Sequence, residues 1–361
     1  MHEVLILGGY GNFGKRIAEL LTRQSVRVVI AGRNQNAADK LVASLPDGMA
    51  ISACFNITRG LSEALTRLRP KVVIHTCGPF QDADYSVART CIQHGIAYID
   101  LADGRDFVTG FSSLQEIALK HGTVAISGAS TVPGLSSAVL ERYKGEFQSI
   151  DRMQFGIAPG QKAERGLATT QGILSYVGKR LKPCAGYPVR YGWQDMYLQK
   201  YPVIGRRWMA NCDIPDLDLL PQAYNIQQIR FSAGMESSVA HIGIWVMSWA
   251  IRLGLPLQPA RYSALLLKLS NFLNVFGSSN GGMHVLLDGR GQDGKPLSKT
   301  WFIVALNGHG PYIPTVPAVV LAKKILKGTL KKPGAMACIG MVSLEEYLDE
   351  LRHLQVKTYE I

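Results

Sequence analysis

Short apolar runs alternate with segments whose apolar residues recur every three or four positions through the first third of the chain. Runs at 4–7, 26–31, 50–54, 72–76, 97–101 and 123–127 predict strands. Between them Phe13, Ile17, Leu20 and Leu21, then Ala38, Leu41, Val42 and Leu45, then Leu61, Leu65 and Leu68 fall at helical spacing. Strand and helix in strict alternation predict a parallel sheet with crossover helices, and six strands complete a doubly wound α/β domain.

The alternation stops at Gly128-Ala129-Ser130-Thr131-Val132-Pro133-Gly134, a stretch of small residues and proline that marks a turn and a change of domain. Beyond it the pattern predicts strands at 150–157, 226–233, 283–288 and 300–306, and helices at 168–180, 258–275 and 315–328. Ser343 and Glu346 have the spacing of a capping box opening a last helix. This half reads as α+β. The expected division is 1–130 for the doubly wound domain, 131–330 for a substrate and oligomerisation domain, and 331–361 for a helical C-terminal segment.

At 361 residues the chain suits two domains, and 47% hydrophobic against 18% charged residues excludes disordered and fibrous classes. A net charge of +12 suits anionic partners: a phosphorylated cofactor, an acidic substrate, an anionic membrane or nucleic acid. No basic patch interleaved with aromatics is evident, so nucleic acid is not expected. The six cysteines have no zinc spacing, the eight histidines are scattered, and no metal site is expected. The start of the chain has no signal-peptide pattern, and the expected location is cytoplasmic. Ser237–Ile251 carries no formal charge and holds Trp245 and Trp249 one turn apart. It is too short to span a bilayer and reads first as a buried or interface helix. A homodimer surface, an apolar substrate pocket and a peripheral membrane contact are the alternatives.

Directly after the first strand comes Gly9-Tyr10-Gly11-Asn12-Phe13-Gly14, a G-x-G-x-x-G that ends a strand and opens an amphipathic helix. The first glycine permits the turn, the second admits a pyrophosphate to the backbone, and the third lets helix and strand pack closely. Phosphates would there meet free N–H groups at the positive end of a helix dipole. An acid about 20 residues on would bind the ribose of NAD. Here Arg33 and Asn34 occupy that place, the nearest following acid is Asp39, and NADP is expected over NAD. Cys77, Gly78 and Pro79, at the end of strand four, should border the cofactor. Asp100 ends strand five, where a chemical role and a turn cap are both open.

Gly8–Gly14, Ala31-Gly32-Arg33, Cys77-Gly78-Pro79-Phe80, Gly95 with Tyr98-Ile99-Asp100, and Gly128–Gly134 resemble, in order and spacing, the saccharopine dehydrogenase-like NADP-binding oxidoreductases. The resemblance is specific over residues 1–140 and weaker beyond, at Gly310–Pro314 and Gly334–Cys338. It implies a Rossmann domain, a second α/β domain carrying the substrate, and a C-terminal segment that returns to the first domain. Members reduce imines derived from amino acids and, in trans-acting enoyl reductases, carbon–carbon double bonds of lipid-like chains. Trp193, Tyr197, Trp208, Trp245 and Trp249 in the middle region point to a bulkier, more apolar substrate than an amino diacid.

Hydride transfer needs one proton supplied or removed by the protein. His309 and Tyr312, in the glycine-rich segment after the strand near 301–306, are the candidate donors, and Arg165 a candidate anchor for an anionic group. The rival reading is a non-catalytic NADP-binding sensor or membrane-associated scaffold. Lys323, Lys324, Lys327, Lys331 and Lys332, in a stretch without acids from 313 to 344, would attract anionic lipid or form a solvated helix face.

Overall fold

The computed structural model describes residues 3–164 and 166–361, with the side chains of Ala168, Thr169 and Leu273 outside the description. Arg165 therefore lies outside the described residues. The chain divides into two compact units, one of residues 1–138 and 311–350, the other of 139–310 and 351–361.

The first unit is a seven-stranded parallel sheet. Its strands are β1 (Val4–Leu7), β2 (Val28–Gly32), β3 (Ala50–Cys54), β4 (Val72–His75), β5 (Ala97–Asp100) and β6 (Val124–Ser127), joined by β15 (Gly334–Ala337) from near the C-terminus. The order is β15-β6-β5-β4-β1-β2-β3, so the direction of winding reverses between β1 and β4. Leu5 pairs with Val29 on one side and Val73 on the other. β1 and β4 are buried at every position, as their unbroken apolar runs require of strands covered on both faces. The helix Val316–Leu326, buried from Val316 through Ala322, packs against β4, β5 and the helix Asn12–Thr22.

The second unit holds β7 (Phe147–Ala158), the two-residue strands β8 (Arg180–Leu181) and β9 (Arg190–Tyr191), β10 (Tyr197–Tyr201), β11 (Gly205–Asn211), β12 (Gln228–Met235), β13 (Gly281–Gly291), β14 (Pro296–Ala305) and β16 (Val356–Glu360). Seven of them form a mixed sheet in the order β10-β11-β12-β7-β13-β14-β16. Only β7 and β12 run parallel in it.

Two expectations need correction. The return to the first unit begins at Pro311 rather than 331, because Val316–Leu326 buries its apolar residues there. The 331–361 segment is also not simply helical: it gives β15 to one sheet, the helix Leu344–Leu351, and β16 to the other. Ser343 does form the capping box, its Oγ accepting from the Glu346 N–H at 3.1 Å while Glu346 Oε2 accepts from the Ser343 N–H at 2.9 Å.

Ser237 caps the helix Ser238–Arg252, which holds the rest of the 237–251 stretch, but the stretch is not buried. His241 and Ser248 are its fully buried residues, whereas Val239, Ile242, Val246 and Trp249 are exposed. Of the lysine group, Lys323 pairs with Glu350, and Lys324 pairs with Glu346 at 2.7 Å. Those two charges are met within the protein. No helix among the described residues is long and apolar enough to cross a membrane, and no cluster of residues there could hold a metal ion.

Candidate functional site

β1 ends in a turn whose shape depends on glycine. Gly8 stands at φ +75°, and the Gly8 and Gly9 N–H groups both donate to the Ala31 carbonyl at 3.0 Å. The Gly11 N–H closes the turn on the Gly8 carbonyl at 2.8 Å. A Cβ on Gly14 would stand 2.3 Å from that same carbonyl oxygen, and one on Gly9 would stand 2.9 Å from Ile30 Cγ2. Glycine at these places lets the helix Asn12–Thr22 begin against the turn. Its N-cap, Gly11, has no side chain to compete for the first-turn amides. The helix therefore presents N–H groups and a positive dipole end beside the β1/β4 reversal, where ligands of such sheets bind. Asn12 and Phe13 form its first turn, where Asn12 accepts from the Arg16 guanidinium.

Tyr10 reaches from this turn to the end of β2. Its hydroxyl accepts from the Arg33 and Asn34 N–H groups, each at 3.0 Å, and its ring covers Gly32, where a Cβ would stand 2.2 Å from Cε1. Asn34 caps the helix Gln35–Ser44 by accepting from the Ala37 N–H at 3.1 Å. Arg33 itself is exposed.

At the end of β4, Thr76 Oγ1 donates to the Leu7 carbonyl at 2.9 Å and ties the two strands that flank the reversal. Burial pushes the Cys77 thiol up to about 11, against the opposing pull of Arg33, so it stays protonated. The Gly78–Pro79 peptide is cis. His75 is lowered to about 4 by burial and is neutral, with its Nδ1 2.9 Å from the Tyr98 hydroxyl.

Asp100 is fully buried. Its Oδ1 accepts from the Ala102 N–H at 3.0 Å, the Ser127 hydroxyl at 2.9 Å and the Gly128 N–H at 2.9 Å, fastening the end of β5 to the end of β6. Burial raises its pKa to about 6 despite these bonds. This geometry serves as a local clamp.

Gly9 through Gly14, Arg33, Asn34, Cys77, Gly78, Pro79 and Asp100 thus share the carboxyl edge of one sheet. His309 and Tyr312 do not share a unit. His309, in the second unit, accepts at Nδ1 from the Gln355 N–H at 2.9 Å, which leaves the proton of the neutral ring on Nε2. Tyr312, in the first, donates to Glu19, two turns along the helix Asn12–Thr22 from the glycines, with Arg16 over its ring. Burial and the Glu19 carboxylate push its phenol up to about 12, and a proton held that firmly makes a poor donor near neutrality. Gly8, Gly32 and Thr76 were not singled out by the motif. The glycine ahead of it and the glycine ahead of Arg33 were the available signals; Thr76 had none.

Residues 4–128 match the family model described as the saccharopine dehydrogenase NADP binding domain. The match falls within the first unit, which is thus similar to a saccharopine dehydrogenase NADP binding domain. Saccharopine dehydrogenase (L-Glu forming) from Saccharomyces cerevisiae is similar in fold over 100% of both chains, at 14% identity and a TM-score of 0.64. A meso-dapdh mutant with DAP, from Clostridium tetani E88, is similar over 98% of this chain and 99% of its own, at 14% identity and a TM-score of 0.50. No curated protein sequence matches the chain. The glycine cradle at the end of β1 fits a dinucleotide pyrophosphate.

Proposed function

We propose that the chain transfers hydride between NADP(H) and a C=N, C=O or C=C group of an apolar small molecule. The observation that carries the cofactor choice is the end of β2, where exposed Arg33 stands in place of a carboxylate and Tyr10 fixes the backbone beside it. A guanidinium there grips a 2′-phosphate that a carboxylate would repel.

Gly9, Gly11 and the helix start hold the pyrophosphate, Arg33 the 2′-phosphate, and Cys77 through Pro79 border the nicotinamide side. The cofactor supplies the hydride chemistry when bound. Of the two candidate donors Tyr312 is committed to Glu19, which leaves His309 as the candidate to give or take the accompanying proton. The aromatic content of the second unit supports an apolar substrate, and the six thiols suit a reducing cytoplasm.

Side-by-side fluorescence titration with NADPH and NADH tests the reading. Tight NADPH and weak NADH are expected, and Arg33→Asp should weaken NADPH by about 1.5–3 kcal/mol while sparing NADH. Equal weakening of both would remove Arg33 from the site. Imines, ketones and enoyl compounds are then screened for oxidation of bound NADPH; binding without any turnover would favour a sensor or scaffold.

A further inference from the structure

Thirteen of the twenty large hydrophobic side chains exposed among the described residues fall between Val239 and Phe276. They lie on two successive helical segments and the loop between them. The helix Ser238–Arg252 turns Val239, Ile242, Val246 and Trp249 to solvent, and the helix Ser263–Phe272 turns out Leu265 and Leu269 at a spacing of four. Phe272, Val275 and Phe276 follow, each more than three-quarters exposed.

Several uncharged polar groups and one carboxylate face the other way. Glu236, just before the first helix, accepts from the N–H groups of Gln161 and Ser278 at 2.7 and 2.8 Å and pairs with Arg207. Gln161 in turn donates from Nε2 to the Ser270 carbonyl at 2.7 Å, on the second helix. His241 and Ser248 are buried. On the first helix the ordinary arrangement, apolar inward and polar outward, is reversed at His241 and Ser248, and one polar node anchors both helical segments.

Charge narrows the occupant. Residues 237–287 contain no Asp or Glu, and their formal charges are Arg252, Arg261 and Lys268. All three are exposed, Arg252 with its guanidinium over Tyr191 and Trp249. A second copy seated by two-fold symmetry would set these cations against themselves with no acid of 237–287 to answer them. An anionic bilayer answers it, and exposed Trp249 and Tyr262 suit the headgroup level. Fifteen residues of helix extend about 22 Å, short of the ~30 Å hydrocarbon core, so the contact is in the plane of the surface.

We propose that the Val239–Phe276 face docks the protein on an anionic lipid bilayer, its apolar side chains entering the acyl boundary and Arg252, Arg261 and Lys268 meeting the headgroups. The test is flotation of the full-length protein with vesicles of phosphatidylcholine alone or with about a third phosphatidylglycerol. The partition coefficient should be at least about tenfold higher on the anionic vesicles and fall in high salt. The double substitution Phe272→Asp with Phe276→Asp should lower it about tenfold or more. Both side chains are exposed, so the variant should fold, and unchanged NADPH binding and thermal unfolding verify that it does. Failure to float with either vesicle, or flotation unaffected by the double substitution, overturns the proposal. So does sedimentation showing a dimer that the double substitution dissociates, because a second copy would then cover the face.

Discussion

Gly14 and Gly60 are both helical glycines of the first unit, and alanine should act on them in opposite directions. In the helix Ile57–Leu68, a Cβ on Gly60 meets nothing nearer than Phe55 Cβ at 3.5 Å, an ordinary contact. Gly60→Ala should therefore gain about 0.5–1 kcal/mol from helix propensity. At Gly14 the added carbon falls 2.3 Å from the Gly8 carbonyl oxygen and 2.7 Å from Gly9 Cα, both backbone atoms that no rotamer change can move. Relieving the overlap shifts the helix start from the turn by roughly 1 Å, an overpacking cost of about 1–3 kcal/mol against at most ~1 kcal/mol of propensity. Gly14→Ala should be destabilised by about 1–2 kcal/mol on balance. The same shift lengthens charge-assisted bonds worth about 1.5–3 kcal/mol each, so NADPH should bind at least about tenfold more weakly. Urea unfolding and NADPH fluorescence titration of both variants provide the assay. A Gly14→Ala protein with wild-type stability and affinity would refute the cradle, and a destabilised Gly60→Ala protein would refute the use of local space to set the sign.

Two further outcomes follow from single residues. Asp100 binds its proton more tightly folded (about 6) than an ordinary carboxyl at 3.8, so its contribution to stability is present below about pH 4 and is lost as pH rises through about 6. That amounts to about 3 kcal/mol. Asp100→Asn keeps an oxygen for the three donors and should remove this slope, which pH-dependent urea melts of the two proteins would show; parallel pH profiles would contradict the assignment. Ser343→Ala should cost about 1 kcal/mol by opening the capping box. An unchanged urea midpoint would mean that the Glu346–Lys324 pair alone holds that helix end.

Six strands of the first sheet were legible because each is a short apolar run and the crossover helices between them carry a repeating apolar stripe. The glycine signature was legible for the same reason: its chemistry is written within six consecutive positions. β10 and β11 escaped because Lys200, Arg206 and Arg207 break the apolar alternation, and β15 because Gly334-Ala335-Met336-Ala337 contains no β-branched residue. β16, Val-Lys-Thr-Tyr-Glu, reads as polar because it is an edge strand. Long-range partnerships left no local trace. Nothing near Tyr312 announces Glu19, nearly 300 positions earlier, and nothing in Tyr10 announces the two amides beyond β2. Burial direction was the least legible property. A stretch without formal charge and rich in isoleucine and tryptophan suggests interior, yet the buried positions of its helix are a histidine and a serine.

The placement of β15 gives the first sheet a history. It pairs with β6, Gly334 opposite Val124, although the whole second sheet except β16 is encoded between them. On a ribosome adding about 5–20 residues per second, the roughly 200 intervening residues take about 10–40 s to emerge. For that interval β6 is an open sheet edge, and β4 and β5 await the helix that will cover them. The first unit, whose strands β1 to β6 precede the second sheet in the chain, is thus among the last parts to be finished. The nascent chain spends that time exposed to strand addition by its neighbours.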